Sequence, residues 1–317
     1  MTKLFAFGDS YPAGDEIDIP KTLGITTEEW IEYVGKNWDE KTSQFRIMQK
    51  YTKEKNLGGV RPPAVSVDSY PYIIGKILNL ETKNYARNGT GYYIACDWAI
   101  QKMILGEIQE NDIIFMGVTD LKRMSYYAEP LRALIHVIPG STPNIGYHSN
   151  LTTTNNYTIE YIRNYLNDYN VFNNALMTTC NLLNTAKRYG VKILLYDILQ
   201  GGLNSIKDYH FNLTSYLQEN PVSNGQRTEA YSIILEEIKE HQLFEGSLSS
   251  FSEWGHKKFV APYELRGILL KEPNKQKALY ELYQLGFMPG LHFTKEKHQF
   301  VGEIFAKTIK EKWDQIK

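Results

Sequence analysis

An α/β fold on a parallel sheet is what the sequence predicts, and three observations carry that expectation. Short apolar runs alternate with stretches of helical periodicity, the runs close on glycine or Asn/Asp clusters, and a capped amphipathic helix ends the chain. The 317 residues are 42% hydrophobic, enough for one large α/β domain with insertions or for two smaller domains.

The first run, Lys3-Leu4-Phe5-Ala6-Phe7, breaks directly into Gly8-Asp9-Ser10 and reads as a buried first strand. Open α/β sheets carry their chemistry at the C-terminal ends of strands, so Ser10 emerges where a site belongs. A serine on a turn kept tight by glycine offers a hydroxyl nucleophile and a backbone N–H to one small volume. Asp9 and Ser10 also suit a plain capping turn. Residues 15–67 contain no clear strand, only a short helix around Trp30 and the Gly58–Pro63 breaker, and read as an insertion.

Regular order resumes at Ser69. Ser69 or Asp68 can cap a helix with Pro71 in its first turn and Ile73, Ile74, Ile77 and Leu78 on one face. A strand over 81–86 runs into Arg87-Asn88-Gly89-Thr90-Gly91, a helix over 94–105 follows, and a strand over 112–116 closes on Gly117-Val118-Thr119-Asp120. Residues 124–157, polar with Pro and Asn, read as surface loop. Helical periodicity covers 161–189, Gly190 ends it, and 191–197 is a fourth strand. Residues 200–286 read as irregular and partly helical and are too long for an ordinary loop, so a second insertion or cap is expected. Thr294 caps the last helix, whose Phe300, Val301, Ile304, Phe305, Ile309 and Trp313 form an apolar stripe, with His292 in the loop before it.

Charge excludes some partners. Lys plus Arg (35) nearly cancels Asp plus Glu (36), so no global field favours nucleic acid or an anionic membrane. No stretch reaches the roughly eighteen apolar residues of a membrane span, and the N-terminus lacks a secretory leader pattern. Cys96 and Cys180 form no disulfide framework, which suits a reducing compartment. A cytoplasmic or otherwise non-exported location is expected, including a viral particle or a host cytoplasm.

Four segments gather at strand ends or before the last helix: Gly8-Asp9-Ser10, Asn84-x-Ala86-x-x-Gly89, Gly117-Val118-Thr119-Asp120 and Gly290-Leu291-His292. In a parallel sheet these share one rim. Dinucleotide binding fails, because Gly89-Thr90-Gly91 lacks the third glycine and follows the second strand. A nucleotide-binding P-loop, a zinc-protease helix and a Gly-x-Ser-x-Gly elbow are all missing. His292, Glu296 and His298 span a loop and a helix start, a poor metal set. No cofactor and no metal are expected.

These segments resemble those of the SGNH hydrolases, the GDSL-type serine esterases and lipases, over about half of the chain. The resemblance implies a three-layer α/β/α sandwich with a parallel, flavodoxin-like sheet, here one domain (1–317) with insertions at about 15–67, 124–157 and 200–286 forming a cap. It implies Ser10 as nucleophile, His292 as base, and the Ser10 N–H, Gly89 N–H and Thr119 hydroxyl as oxyanion donors. His298 matches a family histidine on the final helix that is not catalytic.

Two positions depart from the family. Thr119 replaces an asparagine, and its hydroxyl is shorter and differently aimed than an amide. Pro289 replaces the aspartate that orients the base. A backbone carbonyl, a water or a carboxylate from elsewhere must then orient His292, with Asp120, Asp197 and Glu253 as candidates. The implied activity is ester hydrolysis through an acyl-enzyme on a small-molecule or glycan ester, such as a carbohydrate O-acetyl group. A binding or structural module on the same scaffold and an acyltransferase are the alternatives.

Overall fold

The computed structural model describes residues 2–38, 44–119, 121, 124–128, 133–137, 168–198, 224–247, 253–254, 257–258 and 271–316. In chain order the elements are β1 (Lys3–Phe7), α1 (Ser10–Ala13), α2 (Ile19–Leu23), α3 (Thr27–Lys36), α4 (Gln44–Glu54), α5 (Tyr70–Leu78), β2 (Glu81–Asn84), α6 (Tyr92–Ile104), β3 (Ile113–Val118), β4 (Met124–Ala128) and β5 (Ala133–Val137). They continue with α7 (Asp168–Tyr189), β6 (Lys192–Asp197), α8 (Asn224–His241), β7 (Gln242–Ser247), β8 (Glu253–Trp254), β9 (Lys257–Lys258), α9 (Lys275–Gln284) and α10 (Lys295–Ile316). The chain divides into two compact units interleaved in sequence: Met1–Asp9 with Leu80–Leu248, and Ser10–Asn79 with Ser249–Lys317.

The first unit is α/β. Its sheet has the order β2-β1-β3-β6-β7 with every pairing parallel, the flavodoxin-like order. Leu4–Phe7 and the whole of β3 are buried, as strands covered on both faces must be, which is why they read as unbroken apolar runs. Phe5, Phe7, Ile114 and Met116 share one core cluster with Tyr92, Ala95 and Met103 of α6 and Leu176 and Leu183 of α7. Gly117 is consumed by packing: a Cβ there would lie 2.6 Å from the Tyr196 hydroxyl, whose ring stacks on Phe115 at 4.4 Å.

Two segments differ from expectation. Residues 124–128 and 133–137 form an antiparallel hairpin instead of surface loop, while 138–167 lie outside the described residues. Within 200–286, expected to be irregular and partly helical, the helix α8 leads into β7, an unexpected fifth strand of the main sheet. Gln242-Leu243-Phe244-Glu245-Gly246-Ser247 has only two bulky apolar residues because it is an edge strand, so it shows no hydrophobic run.

The second unit is largely helical among its described residues. Thr26 and Glu29 form a reciprocal capping box that starts α3, and α3 packs on α9. Helix α5 keeps Pro71 in its first turn, but Ser69 at its N-cap makes no side-chain capping bond. It packs against α10, where a Cβ at Gly302 would meet Ile73 Cγ2 at 2.6 Å. Val301, Phe305 and Ile309 of the expected stripe are buried, and the Trp313 side chain lies outside the described residues. Among the described residues no helix is long and apolar enough to cross a membrane.

Candidate active site

Beyond β1 the chain turns through Gly8, at φ 149°, into Asp9 and then Ser10, the first residue of α1. The Ser10 carbonyl receives the N–H groups of Gly14 and Asp15, both at 3.1 Å, so the serine is set on a closed turn. Ser10 belongs to the second unit, and Asp9, Gly89 and Thr119 belong to the first.

His292 is presented by a small hairpin in the second unit. Phe287 and Phe293 form an antiparallel bridge, and Leu291 N–H to Met288 O (2.8 Å) closes the turn over Pro289 and Gly290. Pro289 takes the second position of that turn, where its fixed φ is favourable, so the residue at the expected aspartate position has a backbone task. His292 O accepts from Met288 N–H at 2.7 Å, and Thr294 N–H donates to Gly286 O at 2.9 Å. Thr294 then caps α10 through its side chain, receiving the Lys297 N–H at 3.3 Å.

The carboxylate at His292 is Glu16, which sequence reasoning missed. Glu16 Oε2 lies 3.2 Å from His292 Nδ1, with side chains 8% and 19% exposed respectively. The approach is in ion-pair range. The same oxygen accepts the Gly290 N–H at 3.0 Å, and a Cβ on Gly290 would collide with the carboxylate. Gly290 is therefore the residue that admits Glu16 to the loop. Of the three carboxylates expected as substitutes, Asp197 ends β6 in the first unit, while Asp120 and the Glu253 side chain lie outside the described residues. The signal available in sequence was thin: an acidic pair, Asp15-Glu16, on the segment that carries Ser10.

The flanking ionisable groups serve the loop's framework. His298 is fully buried, accepts the Tyr70 N–H on Nδ1 at 3.2 Å and stacks on the Tyr70 ring. Burial, followed by repulsion from His292 and Lys297, pushes its basicity down to about 3, so it is a neutral ring. The Lys297 amine sits 3.5 Å above the Phe287 ring centroid and donates to Leu285 O at 3.3 Å. Desolvation draws Lys297 down to about 6.

In the first unit, Asn84 Oδ1 accepts the Ala86 N–H at 3.0 Å, and Arg87 N–H donates to Gly8 O at 3.2 Å. This ties the Asn-x-Ala-x-x-Gly segment to the end of β1. Gly89 stands at φ 76° in the turn closed by Thr90 N–H to Arg87 O, and a Cβ there would meet nothing within 4 Å. Backbone conformation alone demands that glycine. Thr119, just past β3, is buried and donates its hydroxyl to Asp9 Oδ2 at 2.9 Å. The hydroxyl expected at an oxyanion is thus bonded to the neighbour of Ser10.

Burial pushes the Cys96 thiol up to about 12, which leaves it inert as a nucleophile. Among the described residues no group of three or more His, Cys, Asp or Glu side chains is arranged to hold a metal ion. A carboxylate at Nδ1 of a half-buried imidazole, on the segment that begins with a serine, is an arrangement suited to general-base chemistry.

No family model matches the chain. No curated protein matches it either. Among solved structures the chain is similar to a protein of G-D-S-L family from Desulfitobacterium hafniense DCB-2 with an inferred lipolytic role, at 12% identity and a TM-score of 0.35, over 97% of this chain and 99% of that one.

Proposed function

We propose that the chain is a serine ester hydrolase with Ser10 as nucleophile, His292 as general base and Glu16 as the carboxylate that orients the base. One observation carries the proposal: Glu16 Oε2 stands 3.2 Å from His292 Nδ1, where Pro289 leaves no acid of its own. A carboxylate at Nδ1 favours the tautomer with its proton there, which puts the basic lone pair that takes the serine proton on Nε2.

Ser10 Oγ then attacks the ester carbonyl, and the developing oxyanion is assigned to the backbone N–H groups of Ser10 and Gly89. Thr119 joins them only when its bond to Asp9 is exchanged. His292 returns the proton to the departing alcohol, and water, deprotonated by the same imidazole, resolves the acyl-enzyme. A small acyl group on a carbohydrate is the proposed substrate class.

Short-chain nitrophenyl esters and a serine-directed phosphonate test the mechanism. Label at Ser10 and loss of turnover in Ser10→Ala are expected. An unlabelled native protein, no faster than Ser10→Ala across a broad ester panel, overturns the hydrolase assignment and leaves a binding module on this scaffold.

A further inference from the structure

The peptide units on both sides of His292 are tied down. The Leu291 carbonyl, part of the peptide that enters His292, accepts a hydrogen bond from the Tyr11 hydroxyl at 3.0 Å. The His292 carbonyl, part of the peptide that leaves it, accepts the Met288 N–H at 2.7 Å. The second tie is internal to the hairpin, whereas the first comes from the residue after Ser10. The Tyr11 ring also stands against the His292 ring, with centroids 5.4 Å apart, and meets Phe293 edge-on at 4.9 Å.

The backbone records what these ties maintain. Among the described residues five non-glycines have positive φ; three are asparagines, which tolerate it, and the others are Glu16 at 75° and Leu291 at 69°. Both exceptions therefore belong to the Glu16–His292 pair and its loop. A left-handed leucine is strained and persists only where its surroundings over-determine it.

We propose that Tyr11 is a positioning residue for His292, its hydroxyl holding the strained Leu291–His292 peptide so that the imidazole faces Glu16. The proposal rests on the reading of His292 as the base for Ser10. Its geometric consequence is that the turn bearing the nucleophile sets the base twice, through Tyr11 on the peptide and through Glu16 on the ring.

Tyr11→Phe removes the hydroxyl and keeps the ring. Glu16 at Nδ1 and the neighbouring His298 are unchanged by it, so a shift in the titration of the His292 ring protons reports geometry. Those signals are assigned by their loss in His292→Gln and followed by NMR in the full chain. In Tyr11→Phe the titration midpoint is expected to move in the same direction as in Glu16→Gln. Turnover of nitrophenyl acetate is expected to fall about tenfold to a hundredfold, with KM within about twofold.

A midpoint equal to wild type overturns the proposal, including the case in which only the melting temperature drops, since that is a purely structural role. If the native protein reacts with neither ester nor phosphonate, the hydrolase assignment fails by itself. The NMR comparison still decides whether Tyr11 aims His292.

Discussion

Glu16 Oε2 accepts the Gly290 N–H and lies in ion-pair range of the His292 ring, and that sharing makes its charge matter more than its shape. Glutamine at position 16 is nearly isosteric, yet its amide can present an NH₂ to Nδ1 and stabilise the wrong tautomer. Glu16→Gln is therefore expected to lower kcat on short-chain esters by about 10²- to 10⁴-fold. Melting should change little, which separates orientation from folding. At this scale Ser10, Gly89 and His292 could be named as candidates from the sequence because each lies in a short local pattern. Glu16 was not: a lone carboxylate carries no local mark of the histidine it will meet, and the pairing is made by a hairpin distant in sequence. Thr119 was legible as a departure, while its bond to Asp9 follows from the parallel neighbours β1 and β3 ending side by side.

Elements with strong hydrophobic periodicity were readable to within a few residues. Strands β1, β3 and β6 are interior strands, so burial on both faces wrote continuous apolar runs into them. Strand β7 and the β4–β5 hairpin escaped because an edge or a two-stranded ribbon asks for less apolar surface. Helix α10 was marked by its stripe and by Thr294, but its closeness to α5 depends on a single hydrogen at Gly302. Gly302→Ala is expected to cost about 1–3 kcal/mol by overpacking against Ile73, read as a lower urea midpoint.

Stability of the whole molecule carries the signature of two buried bases. Lys297 is drawn down to about 6 in the folded chain from 10.5, so between those values the unfolded chain holds the proton that the folded chain releases. Its contribution is complete above about pH 10.5 and is lost as the pH falls through about 6. His298, lowered from 6.5 to about 3, acts in the same sense over its own more acidic window. Stability is expected to decline as the pH falls. Lys297→Met should raise the urea midpoint at pH 7 and flatten its rise between pH 6 and 10, while the decline below pH 6 due to His298 persists.

By itself the sequence determined an α/β protein with a glycine-tightened serine after its first strand, a glycine turn after its second, and a histidine before its last helix. Those features are local, because strand periodicity, turn chemistry and helix capping act over a few residues. Tertiary structure alone decided which carboxylate meets His292, what Tyr11 holds and where the Thr119 hydroxyl goes. Each of these is a contact between segments far apart in the chain, selected by packing and backbone strain that no short window of sequence records.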